Sequence, residues 1–365
     1  MQTQATNRLW KKDWPSARQN LIRWWNRQGP AVCLVAPKDT PWEDLPEPVR
    51  PDDLTAAWTD PVYRARRAEY QISRTFYGGE AFPYYDSHIG PGTLGMVLGA
   101  EPGFAATTVW YHPCIRDPET YPPIRFDPAN RWLKVHRAML QTGVQIADGR
   151  FLVTMPDLIE NVDTLAQLRD TQTLLMDMVE RPQWVERSIQ EINEAFFQVF
   201  DALAEPIWFD GGIAFSAFRI WGPGKTAKLQ CDASAMFSPA MFDRFVMPAL
   251  REQCRWLDFS LYHLDGTQAL GHLDSLLTIE ELDAIQWTPQ TGIEGSGHPR
   301  WFDLYRRILN AGKSVQALWM KVDELIPFLE AVGPEGVFLH AVAEDEITAR
   351  RVLEKVEKYR PIRRI

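Results

Sequence analysis

The chain has few features that would fix a function on their own. Its 365 residues include four cysteines, Cys33, Cys114, Cys231 and Cys254, widely spaced and without a CxxC pair or a zinc-ribbon pattern. That excludes a disulfide-stapled scaffold and an all-cysteine zinc site, and reduced thiols in a cytoplasmic protein are the simplest account. Neither a GxxxxGK[ST] loop nor a GxSxG elbow occurs, which removes the P-loop and nucleophile-elbow chemistries. Positive charge is in deficit, with 39 Lys and Arg against 48 Asp and Glu. A partner with a phosphate backbone needs a basic face, so nucleic acid is excluded as an expected partner. Long hydrophobic runs are missing too. The most apolar stretch, Ser87 to Ala100, is short and glycine-rich, and Met1 to Asp13 is polar and then basic, with no secretory signal. No membrane partner is expected, and the expected location is the cytoplasm.

A composition of 45% hydrophobic and 24% charged residues can bury a sizeable core. Tryptophan is the anomaly, at fifteen residues. Trp10, Trp14, Trp24, Trp25 and Trp42 crowd the front of the chain, and Trp208, Trp221, Trp287, Trp301 and Trp319 fall near expected strands. Most should complete the core, with a few walling a pocket for a flat or ring-shaped small molecule. Trp221, Trp287, Gln286 and Glu294 are the expected substrate-binding residues; Glu294 lies in a glycine-rich loop, where simple turn chemistry is the competing reading.

Neither an internal repeat nor a low-complexity segment interrupts the chain. Residues 1–75 read as an N-terminal extension with a basic amphipathic helix, Trp14 to Gln28, a strand Ala31 to Ala36 and a proline-rich connection, Pro37 to Pro51. Residues 76–365 read as one domain. Strands are expected at Phe151 to Thr154, Pro206 to Phe209, Ser260 to Leu264, Ala284 to Trp287, Ser314 to Leu318 and Gly336 to Leu339, with Thr107 to Tyr111 as a candidate eighth. Ser238-Pro239 and Arg181-Pro182 open the intervening helices. Strand and helix alternation without a linker predicts an α/β fold, a (β/α)8 TIM barrel with the extension packed on it.

The most informative stretch is Ser260-Leu-Tyr-His-Leu-Asp-Gly266. Alternation puts His263 and Asp265 on one face at the strand's C-terminal end, where barrels do their chemistry, and Gly266 permits the turn that follows. The same pattern fits a histidine hydrogen-bonded inside a core. His340, ending another strand, could join His263 and Asp265 as ligands of Zn²⁺. Asp210, ahead of two glycines, and Asp86, in Pro83-Tyr-Tyr-Asp-Ser-His-Ile-Gly-Pro-Gly92, are further catalytic candidates; Asp232 is a weaker one that could simply brace its loop. Gly90-Pro-Gly-Thr-Leu-Gly95 spells GxGxxG without the strand that a dinucleotide site needs.

Gly90-Pro-Gly-Thr-Leu, Leu98-Gly-Ala-Glu101, Met155-Pro-Asp-Leu158 with Asp163-Thr-Leu165, Asp210-Gly-Gly212, Met236-Phe-Ser-Pro239, Phe245-Val-Met-Pro248, Tyr262-His-Leu-Asp-Gly266 and Leu282-Asp-Ala-Ile285 follow one another in an order that resembles the uroporphyrinogen decarboxylase superfamily, from about Pro83 onward. Its trimethylamine corrinoid protein-like branch is the nearest in pattern. The resemblance implies a (β/α)8 barrel and either porphyrinogen decarboxylation or cobalamin-dependent methyl transfer. The methyltransferases of the superfamily build a zinc site from H-x-C and a later Cys; here His263 matches the first ligand and Asp265 stands where the Cys would be. That hardens the site and puts thiol activation in doubt. The decarboxylases use an arginine-rich loop after the first strand, where this chain has Ala36-Pro-Lys-Asp39, and an aspartate that Asp86 matches only loosely.

Three functions follow as expectations. The leading one is corrinoid-dependent methyl transfer to or from a small substrate, with zinc and a corrinoid (cobalamin) as cofactors and a corrinoid protein as partner. The second is a sugar-processing hydrolase or lyase using Asp210, Asp265 or Glu344 as paired carboxylates. The third is a ligand-binding barrel without turnover.

Overall fold

A computed structural model describes residues 6–360. The protein is mixed α/β, built on a mostly parallel seven-stranded sheet. Thirteen strands occur among the described residues: β1 (Ala31–Pro37), β2 (Thr75–Gly79), β3 (Tyr84–Tyr85), β4 (Glu101–Phe104), β5 (Val109–His112), β6 (Leu152–Val153), β7 (Gly212–Phe215), β8 (Ile220–Pro223), β9 (Thr226–Gln230), β10 (Phe259–Asp265), β11 (Ala284–Thr288), β12 (Ser314–Met320) and β13 (Val337–Val342). The main sheet runs β2-β1-β13-β12-β11-β10-β9, parallel throughout except for the β1–β2 edge. Strands β3 and β6 form a separate parallel pair, and β4–β5 and β7–β8 are antiparallel hairpins. A parallel bridge between Met155 and Phe215 ties the end of β6 to the β7–β8 hairpin.

Local chemistry explains most of these elements. Pro182 opens the 23-residue helix Pro182–Ala204, whose buried Val185, Ile189, Ile192, Phe196, Val199 and Leu203 recur at helical spacing. Ser238 accepts from the Met241 amide at the head of the helix Pro239–Phe245, as its Ser-Pro sequence predicts. Helices follow the strands, as parallel pairing requires. Among the described residues no helix is long and apolar enough to cross a membrane.

The helix Trp14–Trp25 closes the N-terminal edge of the parallel strands. Trp24 donates to the Val315 carbonyl and packs edge-on against Phe338, while its own carbonyl accepts from Ser314. Trp14 packs edge-on against Trp221 at 5.4 Å. These buried indoles fill the base of one continuous core, so the chemistry is left to the opposite, C-terminal edge. Strand β1, inside the segment read from sequence as an extension, is an inner strand of the main sheet.

Several strand assignments differ from the sequence reading, which did not mark β2, β3, β4, β7 or β8. Pro206 to Phe209 is not a strand: Asp210 and Gly211 both take left-handed backbone, with φ of 49° and 80°, and reverse the chain so that β7 begins at Gly212. Thr107 to Tyr111 contributes instead to β5, which pairs only with β4, outside the main sheet. Strand β9 was missed, because Lys228 and Gln230 give it the look of a solvated segment although every residue in it is buried.

Candidate metal centre and adjoining cavity

Register assembles the site. His263 and Asp265 alternate onto one face at the end of β10, and Gly266, at φ 76°, turns the chain just beyond. In the neighbouring strand His263 is in register with Gln230, so the turn after β9 delivers Asp232 beside the imidazole. His263 Nε2 lies 3.9 Å from Asp232 Oδ1 and 4.0 Å from Asp265 Oδ2. One ligand atom from each of the three residues falls within 4.8 Å of the others. On the other side, register places Gln286 of β11 against His263, and Nδ1 hydrogen-bonds Gln286 Oε1. Gln286 in turn donates through Nε2 to the Thr288 hydroxyl at 2.8 Å, which fixes its amide and leaves the Nε2 lone pair of His263 facing the carboxylates.

Beneath this cluster lies a buried charged network. Lys228, fully buried, pairs with Asp157 at 2.5 Å and donates to Gln230 Oε1. The Gln230 amide then donates to Asp232 Oδ2 at 2.9 Å and to Asp163 Oδ2 at 3.3 Å. Asp163 also accepts the backbone N–H groups of Asp232 and Ala233, holding the turn that carries Asp232. Burial would neutralise Lys228, but Asp157 and Glu160 raise its pKa above the ordinary value and keep it cationic. Burial pushes Glu160 up to about 8, and it pushes Asp163 and Asp232 to about 6, helped at Asp163 by Asp232 and at Asp232 by Asp265. His263 is lowered by burial, with Lys228 adding to the effect, so its imidazole is neutral near pH 7 and its lone pair is free. An imidazole and two carboxylates, crowded together, suit a divalent metal and leave a further position for water or substrate.

A second feature adjoins it. A cavity of about 680 Å³ is lined by Cys33 and Val35 of β1, Tyr77 of β2, Tyr84, Tyr85 and Asp86 at the end of β3, and Arg219 from the β7–β8 turn. Asp86 hydrogen-bonds His88 Nδ1 at 2.7 Å and Ser216 Oγ at 2.8 Å. Burial alone would raise Asp86, yet the hydrogen bond and charge of His88, with Ser216, hold it below the ordinary carboxylate value. His88, which burial would lower, is raised by the same pairing. The hairpin tip adjoins both features: the Phe218 ring lies 4.7 Å from that of His263, while the next residue, Arg219, lines the cavity.

The other expected site residues fall elsewhere. Asp210 accepts from Trp14 Nε1 at 2.9 Å and pairs with Arg18 at 3.0 Å. Gly211, next to it, bonds Gly224 just before β9 begins, so Asp210 sits at the N-terminal edge, opposite His263 and Asp265. It belongs to the base of the fold and cannot form a carboxylate pair with Asp265. Trp221 is a core residue against Trp14, donating to the Phe209 carbonyl. Trp287 is buried edge-on against Trp301 at 5.0 Å, because alternation in β11 turns it away from the face that carries Gln286. Glu294 is exposed and paired with Arg300 at 2.8 Å. Gln286 acts on His263, as described. His340 does not join the histidine cluster: it lies on β13, separated from β10 by β12 and β11, and packs edge-on against Trp319. Asp232, the weaker candidate from sequence, takes the third place.

Sequence reasoning passed over Lys228, Gln230 and Glu160. Period-two placement of Lys228 and Gln230 ahead of Asp232 was the available signal. It also passed over the cavity arginines, because Arg50, Arg64, Arg67 and Arg219 come from a long connection, a helix and a hairpin tip rather than from the residues directly after β1.

No family model matches the chain, and none of the curated proteins compared with it does. Among solved structures, a methyltransferase from Methanosarcina mazei is similar with a TM-score of 0.58 and 13% sequence identity, over 94% of this chain and 98% of that one. The two chains share their fold nearly end to end, and at this identity the likeness is one of fold.

Proposed function

We propose that this chain is a methyltransferase of the uroporphyrinogen decarboxylase-like type, with a divalent metal, zinc in the first instance, held by Asp232, His263 and Asp265. In this reading the main sheet, the β3–β6 pair and the β7–β8 hairpin together make a (β/α)8-type barrel whose C-terminal mouth carries the chemistry. The observation that carries it is the convergence of three ligand atoms within 4.8 Å at that edge, with His263 Nδ1 already engaged by Gln286. The methyltransferase of like fold and the order of sequence features support the same reaction class.

A bound metal would supply Lewis acidity to an oxygen of the small substrate. The residues of this chain do the rest. Gln286 fixes the tautomer of His263, and Gln230, polarised by Lys228, holds one oxygen of Asp232 so that Oδ1 faces the imidazole. Phe218 covers one face of His263 and limits water there. A corrinoid, carried by a partner protein, is the methyl acceptor or donor we propose, on the strength of the sequence resemblance.

Calorimetric titration of zinc into metal-free protein tests the centre. One equivalent should bind, and His263→Ala and Asp232→Asn should each abolish or severely weaken it while the thermal midpoint stays close to that of the parent. Zinc binding unaffected by either change, or absent from the parent, would sink the metal reading. Methyl transfer from a methylated small donor to cob(I)alamin, followed by its visible spectrum, tests the reaction separately.

A further inference from the structure

The cavity beside the metal centre holds an electrostatic imbalance. Arg50, Arg64, Arg67 and Arg219 all line it, in a chain whose formal net charge is -9. Among the described residues none of the four has a carboxylate partner, although sixteen other arginines do. The single acid in the lining, Asp86, is already engaged by His88 and Ser216. Arg64 and Arg219 are half-buried, and because a guanidinium cannot shed its charge these two are costly without a counter-ion unless something anionic joins them; Arg50 and Arg67 are exposed and add positive charge without that cost.

Two of these arginines are held firmly. Arg64 donates to the carbonyls of Trp58 at 3.1 Å and His88 at 2.9 Å. Arg219 lies over the Trp319 ring at 4.0 Å, where a register shift in β12 lifts that indole out of the strand. Burial raises the pKa of Cys33, Tyr77 and Tyr84, all cavity-lining residues, and the Arg219 charge offsets part of that rise at each. Each arginine keeps N–H groups that none of these contacts consumes. Aromatic rings form part of the remaining wall, where Trp58, Phe82 and Tyr84 join Tyr77 and Tyr85. A chamber that combines aromatic rings with guanidinium groups matches a flat body with an anionic head.

We propose that this cavity binds an aromatic carboxylate, with the carboxylate on Arg219 and Arg67 and the ring between the aromatic walls. This binding does not depend on the proposed methyl transfer, because none of the three metal-site residues lines the cavity.

Calorimetry on chelator-treated protein separates the two. The probes are para-anisate, its neutral relative para-anisyl alcohol, and inorganic phosphate. Para-anisate should bind about tenfold or more tightly than the alcohol, the scale of one charge-assisted hydrogen bond, and more tightly than phosphate. Arg219→Gln and the exposed Arg67→Gln should each weaken para-anisate by about tenfold with the thermal midpoint unchanged, and Arg219→Lys should restore part of the loss. Equal binding of acid and alcohol, or no effect of either glutamine variant, would overturn the anion site. Phosphate binding as tightly as para-anisate would overturn the aromatic class. Failure of zinc binding or of methyl transfer registers in neither measurement.

Discussion

Glu160 offers a quantitative test of the buried network. It is fully buried, one oxygen accepts the Gln230 backbone N–H at 3.2 Å, and burial raises its pKa from 4.5 to about 8. Between those two values the folded protein keeps the proton while the unfolded chain has released it. Folding therefore takes up a proton, and stability falls as pH rises through that window, by about 1.4 kcal/mol for each unit. The cost amounts to about 3 kcal/mol near neutral pH and no more than about 5 kcal/mol above the folded value, on the linkage argument. Glu160→Gln keeps the shape and an acceptor for Gln230 but cannot ionise. The variant should match the parent near the lower limit of the window and exceed it progressively above, reaching about 3 kcal/mol at neutral pH. Denaturant unfolding followed by tryptophan fluorescence, repeated at several pH values, measures the difference directly. Parallel stability curves, or a variant less stable than the parent in mild alkali, would refute the assignment of a protonated Glu160.

Gln286→Leu should weaken zinc binding by about 10- to 100-fold without removing a ligand, since it frees the His263 ring and its tautomer; calorimetry reads the affinity. Asp210→Ala should leave zinc binding unchanged and lower stability by roughly 1–3 kcal/mol, because it strands the Trp14 N–H and the Arg18 guanidinium at the base of the fold; the unfolding midpoint and a zinc titration together check both halves.

Sequence was informative wherever the signal was local. Hydrophobic runs bounded by turn residues located β1, β10, β11, β12 and β13, and Ser238-Pro239 marked a helix start, because periodicity and capping depend on near neighbours. The pairing of His263 and Asp265 was legible for the same reason, as alternation along one strand is enough to put them on one face. Where a residue's role depended on which edge of the sheet it reached, the sequence was silent. Asp210 looked like a strand end until two left-handed residues moved β7 past it.

The chain by itself therefore determined an α/β protein with a histidine and an aspartate side by side at a strand end, since composition, period and turn chemistry are written residue by residue. Tertiary structure alone decided which partners complete that pair. Register with β9 brought Asp232 rather than His340 to the imidazole, and register with β11 supplied Gln286. The packing of a helix, a connection and a hairpin around β1 and β3 gathered four arginines about one cavity. Strand order and register are set by long-range burial, which no short window of sequence contains.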